Sequence, residues 1–181
     1  MRTAREEEFR AFVEAHRAGL VRTATLLAAG DGHLAEDLVQ TSLTRLYLAW
    51  PRVRRRDGPL PYVHRILINA FTDETRRPAW RRERAQAELP DVAVEGATPA
   101  EERDEVRRAL AALPPGMRAA VVLRHWLELD TAETAAALGC SEGNVKSQTA
   151  RGLERLRELL SAPPAPATGA APTNVPQRSQ P

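Results

Sequence analysis

At 181 residues the chain can hold one or two small domains, and with 43% hydrophobic but only 4% aromatic side chains its cores must be built from Leu, Val and Ala, which favours helices. A single cysteine excludes an intrachain disulfide and a Cys-based zinc site, and the lack of a signal peptide or transmembrane-length apolar run predicts a cytoplasmic chain. The net charge of +2 hides an asymmetry: residues 51–84 hold ten arginines against four acids, and residues 85–105 one arginine against seven acids, so a basic block followed by an acidic linker marks a boundary between two modules.

The first predicted helix opens at a Thr3–Glu6 capping box and lines one face with Phe9, Phe12, Val13, His16, Leu20, Ala24 and Leu27. His16 lies on that apolar face and reads as a packed histidine, since no His or Cys cluster stands near it. Gly30-Asp31-Gly32 ends the helix. A second runs from about His33 to Trp50, with Leu34, Leu38, Leu43, Leu46 and Trp50 inward and Glu36, Asp37, Gln40, Thr41 and Thr44 outward. Taken alone this is an amphipathic core helix whose acids favour its N-terminal end. Pro51 is expected to stop it, before the loop PRVRRRDGPL.

Leu60-Pro61-Tyr62 opens a third helix, with Pro61 in its first turn and Val63, Ile66, Leu67, Ala70 and Phe71 buried. Asn69, Asp73, Arg76 and Arg77 project elsewhere, and Trp80, Arg81, Arg82 and Arg84 follow Pro78. Arginines interleaved with Tyr62 and Trp80 suit a nucleic-acid surface, because guanidinium groups pair phosphates and aromatic rings stack on unpaired bases. A solvated arginine face accounts for the same residues.

After the linker at 85–98, Thr98-Pro99-Ala100-Glu101 starts a helix with Val106, Leu110 and Leu113 at helical spacing, and another spans about Met117 to Leu127 with Ala120, Val121, Leu123 and Trp126 as core. The stretch from Asp130 to Arg157 then reads as two helices and a tight turn. Asp130 with Glu133 makes a capping box, Ala132, Ala135, Ala136 and Leu138 form an inner face, and Gly139-Cys140-Ser141 supplies the break. Ser141 caps a second helix whose apolar positions are Val145, Thr149, Leu153 and Leu156, and whose outer face carries Asn144, Lys146, Ser147, Gln148, Arg151 and Arg155. A polar helix entered through a glycine turn is what a helix-turn-helix lays into the DNA major groove; an ordinary helical hairpin with a solvated face is the plainer reading. The tail from Ser161, rich in Pro, Ala, Ser and Thr, is expected to be disordered. No GxxxxGK[ST] loop, HExxH or nucleophile elbow occurs, so nothing points to an enzyme, a metal or a cofactor. With no run of alternating apolar and polar residues, the predicted fold is all-α. It comprises two small helical domains, at 5–84 and 99–160, joined by a flexible linker at 85–98, with a tail at 161–181.

Three motifs carry a resemblance. AEDLVQTSLTRLYLAW (Ala35–Trp50), YVHRILINAFTDETRR (Tyr62–Arg77) and the segment from Leu113 to Arg157 stand in the order and separation found in extracytoplasmic-function sigma factors of the sigma-70 family, particularly an actinobacterial SigE-like subgroup, and the likeness covers roughly residues 8–160. The resemblance implies a non-catalytic factor that lends promoter specificity to core RNA polymerase and helps open the duplex. It implies polymerase docking through Glu36, Asp37, Gln40, Thr41 and Thr44. It implies contact with the proximal (−10) element through Arg52, Val53, Arg54, Arg55, Arg56, Asp57, Tyr62, Asn69, Asp73, Arg76, Arg77, Arg81 and Arg82. It implies contact with the upstream (−35) element through Ser141, Asn144, Lys146, Ser147, Gln148, Arg151 and Arg155. Core polymerase and promoter DNA are the implied partners, and the class admits an anti-sigma factor as a third. Thr41 stands where the family commonly has an acid, and Asn144 and Ala150 also depart from its usual residues. The alternative reading is a conventional helix-turn-helix regulator that binds duplex DNA unaided, usually as a symmetric dimer.

Overall fold

The computed structural model describes residues 4–54, 58–76 and 99–161, the backbone alone over 99–103. Several of the residues read above lie outside the described ones: Thr3, Arg55, Arg56, Asp57, Arg77, Trp80, Arg81, Arg82, Arg84, Thr98, the segment 85–98 and the tail from 162. Among the described residues are seven α-helices and no strand: α1 (Ala4–Leu27), α2 (Gly32–Val53), α3 (Pro59–Arg76), α4 (Pro99–Ala111), α5 (Pro115–Val121), α6 (Thr131–Leu138) and α7 (Glu142–Ser161). A π-helical turn, Val122–Trp126, continues α5.

The long N-terminal helices meet through aromatic rings. Phe9 lies edge-on to Tyr47 and Trp50, with centroids 5.0 and 5.2 Å apart, and Phe12 packs on Trp50 at 5.3 Å. Leu20, Ala24 and Leu27 of α1, Leu38, Val39 and Leu46 of α2, and Val63, Leu67, Ile68 and Phe71 of α3 complete that core. His16 is half-buried against Phe12, as its apolar setting predicts. Two buried hydroxyls of these helices are satisfied within their own helices: Ser42 donates to the Leu38 carbonyl at 2.6 Å and Thr23 to that of Gly19 at 3.1 Å.

Pro51 does not stop α2; the helix runs on to Val53. A proline at that position removes the bond its N–H would have made to the Tyr47 carbonyl. Arg5 takes over the acceptor, its Nη2 donating to the Tyr47 oxygen at 2.9 Å while its guanidinium lies 4.8 Å from the Tyr47 ring centroid. The donor that lets the helix continue comes from 42 residues away. Asp31 belongs to α2 as its N-cap, accepting from the Leu34 amide at 3.0 Å. In α3 the helix begins at Pro59, one turn's fraction earlier than expected, behind Gly58 at φ 86°.

The C-terminal helices pack more closely, on smaller side chains. Ala119, Ala120, Val121, Val122 and Leu123 are buried, as are Ala135 and Val145. At Gly152 the backbone of α7 passes so near α5 that a Cβ would sit 2.7 Å from Val121 Cγ2. One expected core residue is not there, since Trp126 is 49% exposed, and Val106, read at helical spacing with Leu110 and Leu113, is 45% exposed. The inner face of α6 is Thr134 and Ala135, while Ala132 and Ala136 are exposed and turn toward α2 and α3. Thr134 donates its hydroxyl to the Asp130 carbonyl at 2.7 Å, which satisfies it where it is buried.

Candidate nucleic-acid interface

Local chemistry sets α6 and α7. Asp130 accepts from the Glu133 amide at 2.7 Å and the Glu133 carboxylate accepts from the Asp130 amide at 2.8 Å, the reciprocal box expected. Gly139 closes α6 in the left-handed region at φ 63°, where an L side chain would be strained. Ser141 Oγ then accepts from the Asn144 amide at 3.2 Å and starts α7. Val145 and Gly152 pin one side of α7 to the module.

At 100° per residue, Asn144, Ser147, Gln148, Arg151 and Arg155 share one arc, with Gln148 at its edge toward Gly152. All are exposed except Gln148, which is half-buried. Ser147 is tethered to the Asn144 carbonyl at 3.0 Å, and Gln148 Nε2 reaches Asn144 Oδ1 at 3.5 Å. Among the described residues Arg151 pairs with no carboxylate, whereas Arg155 meets Glu158 at 2.8 Å. An exposed pair of that kind is worth roughly 0.3 kcal/mol, too little to hold Arg155 from a phosphate. Lys146 is exposed but lies around the helix from Asn144, and Ser141 is exposed at the turn.

On α3, Tyr62, Asn69, Asp73 and Arg76 fall on one line of exposed residues, and Arg65 lies beside them. Arg52 and Arg54 are exposed at the end of α2, with Val53 half-buried between them. Arg54 pairs with Glu8. Arg52, Val53 and Tyr62 border a cleft of about 970 Å³ whose far wall is Leu127, Leu129, Ala132 and Glu133. His64 sits near the same cleft, and its burial, helped by the nearby His16, holds its pKa below the ordinary 6.5.

The outward residues of α2 are all exposed, but they differ in engagement. Glu36 is bound to Arg17 at 2.6 Å. Asp37, Thr41 and Thr44 form a stripe, which Leu48 continues at 71% exposure. Leu48 escaped the sequence reading, although its spacing of four and seven from Thr44 and Thr41 is the signal that finds it. Arg118 escaped it too. This arginine is fully buried and donates Nε to the Leu27 carbonyl at 2.8 Å and Nη1 to those of Leu113 and Ala111 at 3.1 and 3.4 Å. Its charge thus rests against the negative ends of α1 and α4. Nothing local in Met117-Arg118-Ala119 announces that.

The chain matches the sigma-70 region 2 family over residues 12–82 and the sigma-70 region 4 family over residues 103–156. It is 38% identical to the RNA polymerase sigma-E factor of Streptomyces avermitilis over 160 residues, covering 86% of each chain. Against the sigma-E factor of Streptomyces coelicolor it is also 38% identical, covering 86% of this chain and 87% of the other. The ECF sigma factor SigM of Mycobacterium tuberculosis is 34% identical over 128 residues, 70% of this chain and 64% of that one. The chain belongs to the extracytoplasmic-function class of sigma-70 RNA polymerase sigma factors. Its fold is also that of the sigma factor RpoE solved with the anti-sigma factor NepR from Bartonella quintana, at a TM-score of 0.66, 24% identity, and coverage of 85% of this chain and 97% of the other. Membership in this class does not favour a regulator that works without polymerase. Among the described residues no helix is long and apolar enough to cross a membrane.

Proposed function

We propose that this sigma factor divides its work among three faces, within domains at 5–84 and 99–160. The face of α7 reads the upstream element as duplex, Arg151 contacting a base edge and Asn144, Ser147 and Gln148 flanking it. Ser141, Lys146 and Arg155 hold phosphates. The line Tyr62–Asn69–Asp73–Arg76, with Arg52, Val53, Arg54 and the loop residues Arg55, Arg56 and Asp57, takes the proximal element. Arg77, Arg81 and Arg82 add phosphate contacts there. Unstacking a base costs a few kcal/mol, roughly, and a cleft that accepts the flipped base offsets part of that. Asp37, Gln40, Thr41 and Thr44, with Leu48 as apolar anchor and Glu36 once released from Arg17, dock on core polymerase. The factor catalyses nothing itself and works in the cytoplasm beside the chromosome. An anti-sigma partner fits this reading, since relatives of its fold are solved with one.

The observation that carries the proposal is the state of α7. One side is locked by Val145 and Gly152, and the other presents an exposed polar arc with Arg151 uncommitted. The test is run-off transcription with core polymerase on a library of upstream elements. Wild type should select one motif; Arg151→Ala should lose about ten-fold or more discrimination at one base position, which corresponds to about 1–3 kcal/mol. Lys146→Ala should weaken all sequences evenly. An unchanged motif with Arg151→Ala removes it from the reading role. Asp37→Ala with Gln40→Ala, or Leu48→Asp alone, should weaken pull-down of core without altering helicity; undiminished association would sink the docking face.

A further inference from the structure

The last turn of α2 exists against the preference of its own sequence. Pro51 has no N–H for the Tyr47 carbonyl and its ring crowds that oxygen, which ordinarily kinks or breaks a helix. Yet Arg52 and Val53 beyond it are helical, and Arg54 closes the turn by donating its N–H to the Trp50 carbonyl at 3.2 Å. Arg52 and Val53 border the cleft of about 970 Å³ that Tyr62 also lines. Their placement there depends on a turn that the local chain would not make.

The start of α1 supplies what is missing. Arg5 donates Nη2 to the Tyr47 carbonyl at 2.9 Å and lays its guanidinium 4.8 Å from the Tyr47 ring centroid. Three residues on, Glu8 pairs with Arg54. Phe9 meets the rings of Tyr47 and Trp50 edge-on, at 5.0 and 5.2 Å. One stretch of α1 thus grips α2 on both sides of Pro51, at Tyr47 and Trp50 before it and at Arg54 after it. Packing alone would not select an arginine at this place. Its Nε is buried with no hydrogen-bond partner among the described residues, and a buried donor left unbonded costs free energy. A methionine would fill the space without that cost, but it would leave the Tyr47 oxygen without a donor.

We propose that Arg5 is a positioning residue for promoter opening: by replacing the donor that Pro51 lacks, it holds Arg52 and Val53 at the cleft and so sets base preference at the proximal element. The inference rests on the reading of that cleft as the proximal-element site. Asp37, Thr41, Thr44 and Leu48 precede Pro51, and α7 is a separate helix, so polymerase association and upstream reading do not depend on Arg5.

The test exchanges the two donors. Full-length wild type, Arg5→Met, Pro51→Ala and the double variant are each assembled with core polymerase at saturation. Opening is read by permanganate reactivity on a promoter and on its single-base variants at the proximal element. Arg5→Met should weaken opening about ten-fold and flatten the base preference, since only the chains whose last turn is formed can engage the base. Core pull-down and the selected upstream motif should stay as in wild type. Pro51→Ala returns an N–H to the helix. Alone it should open like wild type, and it should bring Arg5→Met back to within about two-fold of wild type. Wild-type opening by Arg5→Met would overturn the proposal, as would a double variant no better than Arg5→Met. So would a loss of core association and upstream selection in the same proportion as opening. Should circular dichroism show Arg5→Met unfolded, Arg5→Lys takes its place and is read by the same outcomes, since it keeps the charge but loses the planar fork over Tyr47. Arg52→Ala with Val53→Ala separates the two readings. If that pair leaves opening and base preference unchanged, the proximal assignment of the cleft has failed; if it changes them while Arg5→Met does not, only the role of Arg5 has.

Discussion

The N-terminal helices α1–α3 and the C-terminal helices α4–α7 are held together by opposite means. The first set meets through large side chains, Phe9, Phe12, Trp50 and Phe71 among them, so the axes stay apart and the space between is filled by rings. The second meets through Ala119, Ala120, Ala135 and Gly152, so the backbones approach and the ends are fixed by caps. The difference teaches where each half is vulnerable. Losing volume should damage the N-terminal core, and gaining it should damage the C-terminal one.

The largest expected effect follows from Trp50, 4% exposed beneath Phe9 and Phe12. Trp50→Ala should destabilise the chain by about 3–5 kcal/mol, read from chemical denaturation; a loss under 1 kcal/mol would break the contrast. Next comes Gly152→Ala. The added methyl meets Val121 Cγ2 at 2.7 Å, and valine is stiff in a helix. A cost of about 1–3 kcal/mol should exceed the gain of about 1 kcal/mol in helix propensity. Adding Val121→Ala should recover part of it, so additive losses in that double variant would show that the clash is not the cause.

Asp130→Ala removes one partner of the capping box and should cost about 1 kcal/mol. Because α6 positions the turn before α7, upstream binding should weaken with it while polymerase association is kept. The smallest effect is a pH dependence in the N-terminal half. His64 has a lowered pKa in the fold, so the folded state binds fewer protons than the unfolded chain below pH 6.5. Its contribution to stability is therefore complete above that pH and is lost as pH falls. Melting temperature should decline from pH 7 toward 5 more steeply in wild type than in His64→Gln, and parallel curves would remove His64 from the account.

Much of the α6–α7 hairpin was legible in the chain. The Asp130–Glu133 box, the Gly139 turn and the Ser141 cap act over three or four residues, so their chemistry is readable without neighbours. The exposed arc of α7 and the outward stripe of α2 follow from helical period alone. Periodicity could also sort most core residues of α1 and α3, since a helix with one apolar face must turn it inward.

Tertiary structure decided the rest, because the deciding partner was distant. The continuation of α2 past Pro51 depends on Arg5 reaching the Tyr47 carbonyl across 42 residues. The burial of Arg118 depends on the end of α1 lying 91 residues upstream. Trp126 reads as core by spacing, yet it is half-exposed because its indole is taken up by Thr23, 103 residues away. Ala132 and Ala136 read as an inner face, yet both are exposed on the cleft bordered by α2 and α3. Local propensity and period determine which helices form and what they carry, but hydrogen bonds between residues so far apart in sequence exist only once the helices have packed.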